Sequence, residues 1–269
     1  MADGRTASDA ADRDEGTRAA GTKVPGERIV WLDMCRGAAL VSMIAYHAVW
    51  DAVFLYGYDV PELAGLYGRL WQQLTCSAFI LVAGISFGLD RSPWTRGATL
   101  VLLGGVVTGM TSVLLPPGIH YGILTLLGAS ILGSAALRDV TRKIAPGIGM
   151  AAALAAFVLT RGVVDGTAGI GAVAAAVPPS WYEWPWSAFL GFAPATFRSL
   201  DYFPLLPWFF LFRLGLHVQR AYGHGWRRRT TRRPLAILGR HSLTVYLVHQ
   251  PLLWWFFVLL SGTLPRFGE

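Results

Sequence analysis

Four ionisable side chains, Asp33, Arg36, His47 and Asp51, stand in the first long apolar stretch of the chain. Burying such groups in a segment of membrane length is costly, so they persist where they pair with one another or serve function. On a helix turning about 100° per residue all four fall within roughly 60° of one another. They form one polar stripe on an otherwise apolar helix. A neutral imidazole accepts a proton, and a nearby carboxylate fixes its tautomer. His47 with Asp51 as its orienter would therefore suit activation of a hydroxyl or amine for attack on an acyl group. Alternatively, the imidazole could carry the acyl group itself. Arg36 and Arg240 suit the phosphates of an acyl-CoA donor, with Asp33 supporting that side.

The elements that must position these groups are membrane helices. The chain has 269 residues, is 54% hydrophobic and only 14% charged, against about 25% charged for a soluble domain. Apolar segments of spanning length occur at about 29–51, 69–89, 97–115, 119–137, 144–165, 202–220 and 235–260, each near the ~20 residues a bilayer helix needs. The expected fold is an all-α, polytopic transmembrane bundle of about seven spans. Residues 166–201 read as an external loop with an interfacial helix, and they add an eighth span if Trp186–Phe197 inserts. Residues 1–28 carry five basic and six acidic side chains and no aromatic, which reads as a disordered tail before a membrane domain at 29–262 and a short tail at 263–269.

Arginine and lysine concentrate in alternate connectors. Arg91 and Arg96 follow the second segment; Arg138, Arg142 and Lys143 follow the fourth; Arg220, Arg227, Arg228, Arg229, Arg232 and Arg233 follow the sixth. The positive-inside rule then puts the N-terminus in the cytoplasm. A net charge of +7 is explained by these connectors and not by nucleic acid. Cys35 and Cys76 both lie in apolar segments and give no disulfide or metal pattern.

This topology assigns depths. Asp33 and Arg36 lie in the inner half of the membrane, and His47, 14 residues after Asp33, lies roughly 21 Å further along the helix. Asp51, His120, Asp201 and His249 come to the same outer level from four segments. His120, Asp201 and His249, with Tyr246 on the face of His249, would shape the acceptor side. Each also has a purely structural reading. Asp33 and Arg36 can satisfy each other at i,i+3, Asp201 can cap the helix that follows it, His249 can bond a neighbouring helix, His120 can pack at a loop edge, and Arg240 can snorkel. No G-x-S-x-G elbow, Walker loop or H-E-x-x-H motif points to another chemistry.

The run Leu32-Asp33-Met34-Cys35-Arg36-Gly37, followed by Tyr46-His47 and Asp51, resembles the opening of the heparan-alpha-glucosaminide N-acetyltransferase catalytic-domain family in its bacterial form. Gly122-Ile123-Leu124, Asp201-Tyr202-Phe203-Pro204-Leu205-Leu206-Pro207-Trp208 and Gly239-Arg240-His241-Ser242-Leu243-Thr244-Val245-Tyr246-Leu247-Val248-His249-Gln250-Pro251 extend the resemblance over 29–253. The L-D-x-x-R-G motif with a histidine 14 residues after its Asp also resembles the membrane O-acyltransferases of surface polysaccharides, where that histidine is regarded as catalytic. The resemblance implies acetyl transfer from cytoplasmic acetyl-CoA to a sugar on the far side. The animal heparan enzyme has asparagine where His47 stands, so the acceptor sugar and the choice of N- or O-transfer are not carried over.

The expectation is thus a multi-pass inner-membrane acyltransferase. It would use acetyl-CoA or another acyl-CoA and no metal, and act on an extracytoplasmic or lipid-linked sugar. Its partners would be membrane lipids and the glycan, with a homodimer left open and nucleic acid excluded. The rival is a proton-coupled transporter or flippase using the same Asp/Arg/His stripe as a relay.

Overall fold

The computed structural model describes residues 28–184, 186–226 and 233–262. The expected tails, apart from Arg28, and Arg227, Arg228, Arg229 and Arg232 lie outside the described residues. Ten α-helices carry the fold among them: α1 (Val30–Tyr56), α2 (Pro61–Ala64), α3 (Leu66–Phe87), α4 (Pro93–Leu114), α5 (Ile123–Ala136), α6 (Arg138–Lys143), α7 (Pro146–Leu159), α8 (Leu205–Tyr222), α9 (Pro234–Arg240) and α10 (Ser242–Ser261). Proline opens α4, α7 and α9 at the first turn, where its missing N–H costs no helix bond. Gly57 ends α1 in the left-handed conformation and donates its N–H to the Val53 carbonyl, a geometry that glycine adopts without a Cβ penalty.

Five helices are long and apolar enough to cross a membrane: α1, α3, α4, α7 with the turn after it (Pro146–Asp165), and α10. The chain is a multi-pass membrane protein built almost wholly of helix. The other expected spans are shorter or interrupted. Tyr121 takes a positive φ of 54° after the Pro116-Pro117-Gly118 turn, so α5 starts only at Ile123 and its 14 residues rise roughly 21 Å. The sixth segment becomes α8, 18 residues that carry Arg213, His217 and Arg220 and leave helical geometry at Leu206. The seventh breaks at His241, which separates α9 from α10.

Among the described residues of 166–201 there is no α-helix. Their regular structure is a pair of two-residue antiparallel strands, β1 (Thr167–Ala168) and β2 (Ala175–Ala176), and short 3-10 turns. Within Trp186–Phe197 the one helical turn is Ser187–Phe189, and Gly191 at φ 120° breaks it. Among the described residues the interfacial helix expected there is not found, nor is an eighth spanning helix.

Packing sets α1 against α3, α9 and α10, and α8 against α3, α5 and α7; α4 packs on α5. Phe212, Ile80 and Leu126 are the fully enclosed members of the main core, and Leu40 of α1 is fully enclosed outside it. Small residues bring the backbones together. A Cβ on Gly37 would stand 2.0 Å from the Leu235 carbonyl oxygen, and one on Gly239 would stand 1.9 Å from that of Asp33. The Ala-rich α7 uses Gly149, whose Cβ position is filled by the His217 imidazole. Leu102, Val106, Met110 and Val113 of α4 and Leu252, Trp255, Phe256 and Leu259 of α10 face outward, as hydrocarbon-facing helices require.

Candidate active site

The polar stripe of α1 meets three helices in turn. At its inner end Asp33 is 2% exposed and accepts a hydrogen bond of 2.9 Å from Arg36 Nη1, while Arg240 Nε of α9 lies 3.6 Å from its other oxygen. The close α1–α9 contact through Gly37 and Gly239 makes that approach possible. Arg36 also donates to Ser86 of α3, whose hydroxyl donates to the Val82 carbonyl at 2.6 Å. Arg36 is thus held at two points with its guanidinium forked between α1 and α3.

At the outer end the His47 ring faces that of His249 on α10, with centroids 5.0 Å apart. Asp51 is fully enclosed and accepts two hydrogen bonds of 2.9 Å from Gln250 Nε2, one on each oxygen. This carboxylate makes no hydrogen bond to His47, although the spacing on α1 suggests one; it ties α10 to α1 one turn beyond the histidine pair. The tie crosses between helices, so spacing on one helix could not show it.

A cavity of about 330 Å³ connects these levels. Arg36 and Arg96 line one end, and His47, Gln72 and Asp201 the other; Tyr246, Cys76 and Thr75 line it together with apolar side chains such as Met43, Phe79 and Leu124. Arg36 and His47 are three turns apart on α1, roughly 16 Å along its axis. Of the residues singled out from sequence, the structure brings Arg36, His47, Asp201 and Tyr246 to this cavity. Asp33 and Arg240 stand behind Arg36 and brace it instead of lining the space. His249 and Asp51 stand behind His47.

His120 is elsewhere. Its Nε2 bonds the Pro117 carbonyl at 2.9 Å and its ring lies toward Phe197, so it fastens the loop. That loop places Asp201. The His120 N–H donates to Ser199 Oγ at 2.9 Å, Ser199 Oγ donates to the Asp201 carbonyl at 3.0 Å, and the Phe203 N–H donates to the Tyr121 carbonyl at 3.0 Å. The segments before α5 and before α8 are thereby laced together. Asp201 does not cap α8, the helix that follows it; its carboxylate lies toward the Ile123 N–H at the start of α5. A Cβ on Gly122 would reach 3.4 Å from Asp201 Oδ2, so glycine leaves that carboxylate room.

Burial raises the Asp201 carboxyl to about 6, with the Ile123 N–H opposing the shift. A carboxyl raised above its unfolded value binds more protons folded than unfolded, so stability is greatest below about pH 4 and falls as pH rises to about 6. Asp201→Asn is therefore expected to melt at a higher temperature than the unsubstituted protein at pH 7.5 and at nearly the same temperature at pH 4. Equal melting at pH 7.5 would show that the buried charge carries no such cost.

Gln72 and Thr75 line the cavity without any signal in the sequence, and Arg96 and Cys76, which the sequence marks only as a connector charge and an apolar-segment cysteine, line it as well. Arg96 has a signal in retrospect, since it sits in the first turn of α4 with Thr99 following on the cavity side; counted among connector charges, it is indistinguishable from a topology signal.

A family model described as heparan-alpha-glucosaminide N-acetyltransferase, catalytic, matches residues 28–251. The comparisons with curated proteins and with solved structures give no match.

Proposed function

The chain therefore belongs to the heparan-alpha-glucosaminide N-acetyltransferase catalytic family, transmembrane acetyltransferases, and from that premise we propose that it moves an acetyl group from cytoplasmic acetyl-CoA to a sugar acceptor on the other side of an inner membrane. The observation that carries the reading is one cavity lined both by Arg36 and Arg96 and by His47 and Asp201, with Arg36 and His47 roughly 16 Å apart along α1. Paired guanidinium groups suit phosphates. The apolar middle suits the uncharged arm that carries a thioester. An imidazole at the far end suits removal of a proton from an attacking amine or hydroxyl. Seven crossings with a cytoplasmic N-terminus, α5 and α8 included, would put the arginines on the donor side. Asp33 and Arg240 hold Arg36 in place, and Asp201 and Tyr246 face the acceptor.

Donor binding tests this. Isothermal calorimetry of acetyl-CoA with the purified protein should give saturable binding. Arg96→Ala and Arg36→Ala should each weaken it about 10- to 100-fold, the equivalent of one charge-assisted hydrogen bond of about 1.5–3 kcal/mol. Arg96 is partly exposed and bonds Asp90 across 3.3 Å, so its removal leaves the helix packing intact if Arg36→Ala does not. No binding by the unsubstituted protein would overturn the assignment and favour a carrier that uses the stripe as a proton relay.

A further inference from the structure

We infer that His249, not Asp51, is the positioning residue that orients His47 and holds the proton on its far nitrogen. The inference rests on His47 being the base. His249 is 8% exposed, and its Nδ1 lies 2.6 Å from the Tyr246 carbonyl oxygen. A carbonyl only accepts, so Nδ1 carries the hydrogen and Nε2 of the neutral ring carries a lone pair. That Nε2 is buried and has no hydrogen-bond partner among the described residues. Leaving such an acceptor unsatisfied costs about 1–3 kcal/mol, and the neighbouring ring is His47, at 5.0 Å between centroids with planes 53° apart. Such bonds are often long in the unliganded state and tighten around substrate.

The other candidate for the role makes no hydrogen bond to His47. Asp51 instead accepts from Gln250 on both oxygens, the residue next to His249, and that clamp fixes the register of α10 against α1 at the histidine pair. Asp51 thus acts on the pair through the helix that carries His249. A cavity-facing imidazole backed by a buried hydrogen-bond acceptor is the arrangement that keeps a general base in the correct tautomer.

In the transfer step the acceptor's nitrogen or oxygen lone pair forms a bond to the thioester carbonyl carbon, and its proton passes to the cavity-side nitrogen of His47. The imidazolium donates its other N–H to His249 Nε2. As the carbon–sulfur bond breaks, the electron pair leaves with sulfur, and the thiolate takes the proton back from the cavity-side nitrogen. His249 ends the cycle as it began, and the products are the acylated acceptor and the free thiol.

His249→Asn keeps a donor for the Tyr246 carbonyl and removes the acceptor at the Nε2 position; His249→Gln places an amide oxygen near it. Two readouts on full-length protein in bilayers separate the possibilities. In nitrogen-15 histidine spectra, His47 should occupy one tautomer in the unsubstituted protein and in His249→Gln, and a mixture in His249→Asn. With acetyl-CoA and glucosamine as the acceptor probe, His249→Asn should lose about 10²-fold in kcat with the KM for acetyl-CoA unchanged, and His249→Gln should recover part of it. An unchanged His47 tautomer in His249→Asn, or turnover equal to that of the unsubstituted protein, overturns the inference. The stated tautomer pattern in a protein that binds no acetyl-CoA upholds the pairing and overturns the transferase reading instead.

Discussion

Replacing His47 with alanine is expected to lower acetyl transfer by about 10²- to 10⁴-fold, the usual contribution of a positioned general base. Each factor of ten corresponds to about 1.4 kcal/mol of transition-state stabilisation. The loss should fall on kcat. Arg36, which would hold the donor, lies roughly 16 Å away along α1, so acetyl-CoA affinity measured by calorimetry should match that of the unsubstituted protein. Stability should change little, because the ring contacts of His47 are with Tyr46 and His249 at 5.7 and 5.0 Å and the Asp51–Gln250 clamp that ties α10 to α1 stays in place. This split distinguishes His47 from Asp51, whose removal would release Gln250 and loosen α10 from α1. Turnover by His47→Ala equal to that of the unsubstituted protein, at equal membrane insertion, would sink the mechanism.

The parts of this site that could be read from sequence are those that lie on one helix. Asp33 and Arg36 are three residues apart, and i,i+3 neighbours meet on any helix, so their ion pair follows from spacing alone. The depth of His47 follows from the rise per residue. His249 comes to its level because α10 starts near the same face as α1, and counting turns on each helix is enough. What spacing cannot show is which helix answers a polar group from across the bundle. Asp51 stands one turn from His47, so a local bond is the natural expectation, yet Gln250 of α10 takes the carboxylate. Asp201 precedes a proline-rich helix start and reads as its cap, yet it lies beside the N-terminus of α5 because Ser199 and Tyr121 bind the two loops together. Apolarity was a good guide to the five long helices and a poorer one to α8. There three basic side chains share the segment, and the Leu206 kink shortens the regular part.

Gly84→Ala is expected to destabilise the protein by about 3 kcal/mol, the upper part of the range for overpacked cores. Helices α3 and α8 cross through reciprocal glycines. A Cβ on Gly84 would stand 2.0 Å from the Phe212 carbonyl oxygen and 2.8 Å from its carbon, and one on Gly215 would stand 2.3 Å from the Leu81 carbonyl oxygen. The obstructing atoms are backbone, so no rotamer change relieves the clash and the helices must separate. In a membrane, contact between close-packed backbones is much of what holds helices together, and here it also sets the cavity wall. Ala83 next to Gly84 lines the cavity, and Ser86 two residues on receives Arg36. Parting α3 from α8 should therefore weaken donor binding as well as lower the melting temperature in detergent. Gly105 on α4 provides the matched control, since a Cβ there meets nothing within 4 Å. Gly105→Ala should be neutral or gain up to about 1 kcal/mol from helix propensity. Equal melting of Gly84→Ala and Gly105→Ala would mean that the α3–α8 crossing is looser than its glycines imply, and the wall that carries the cavity would have to be redrawn.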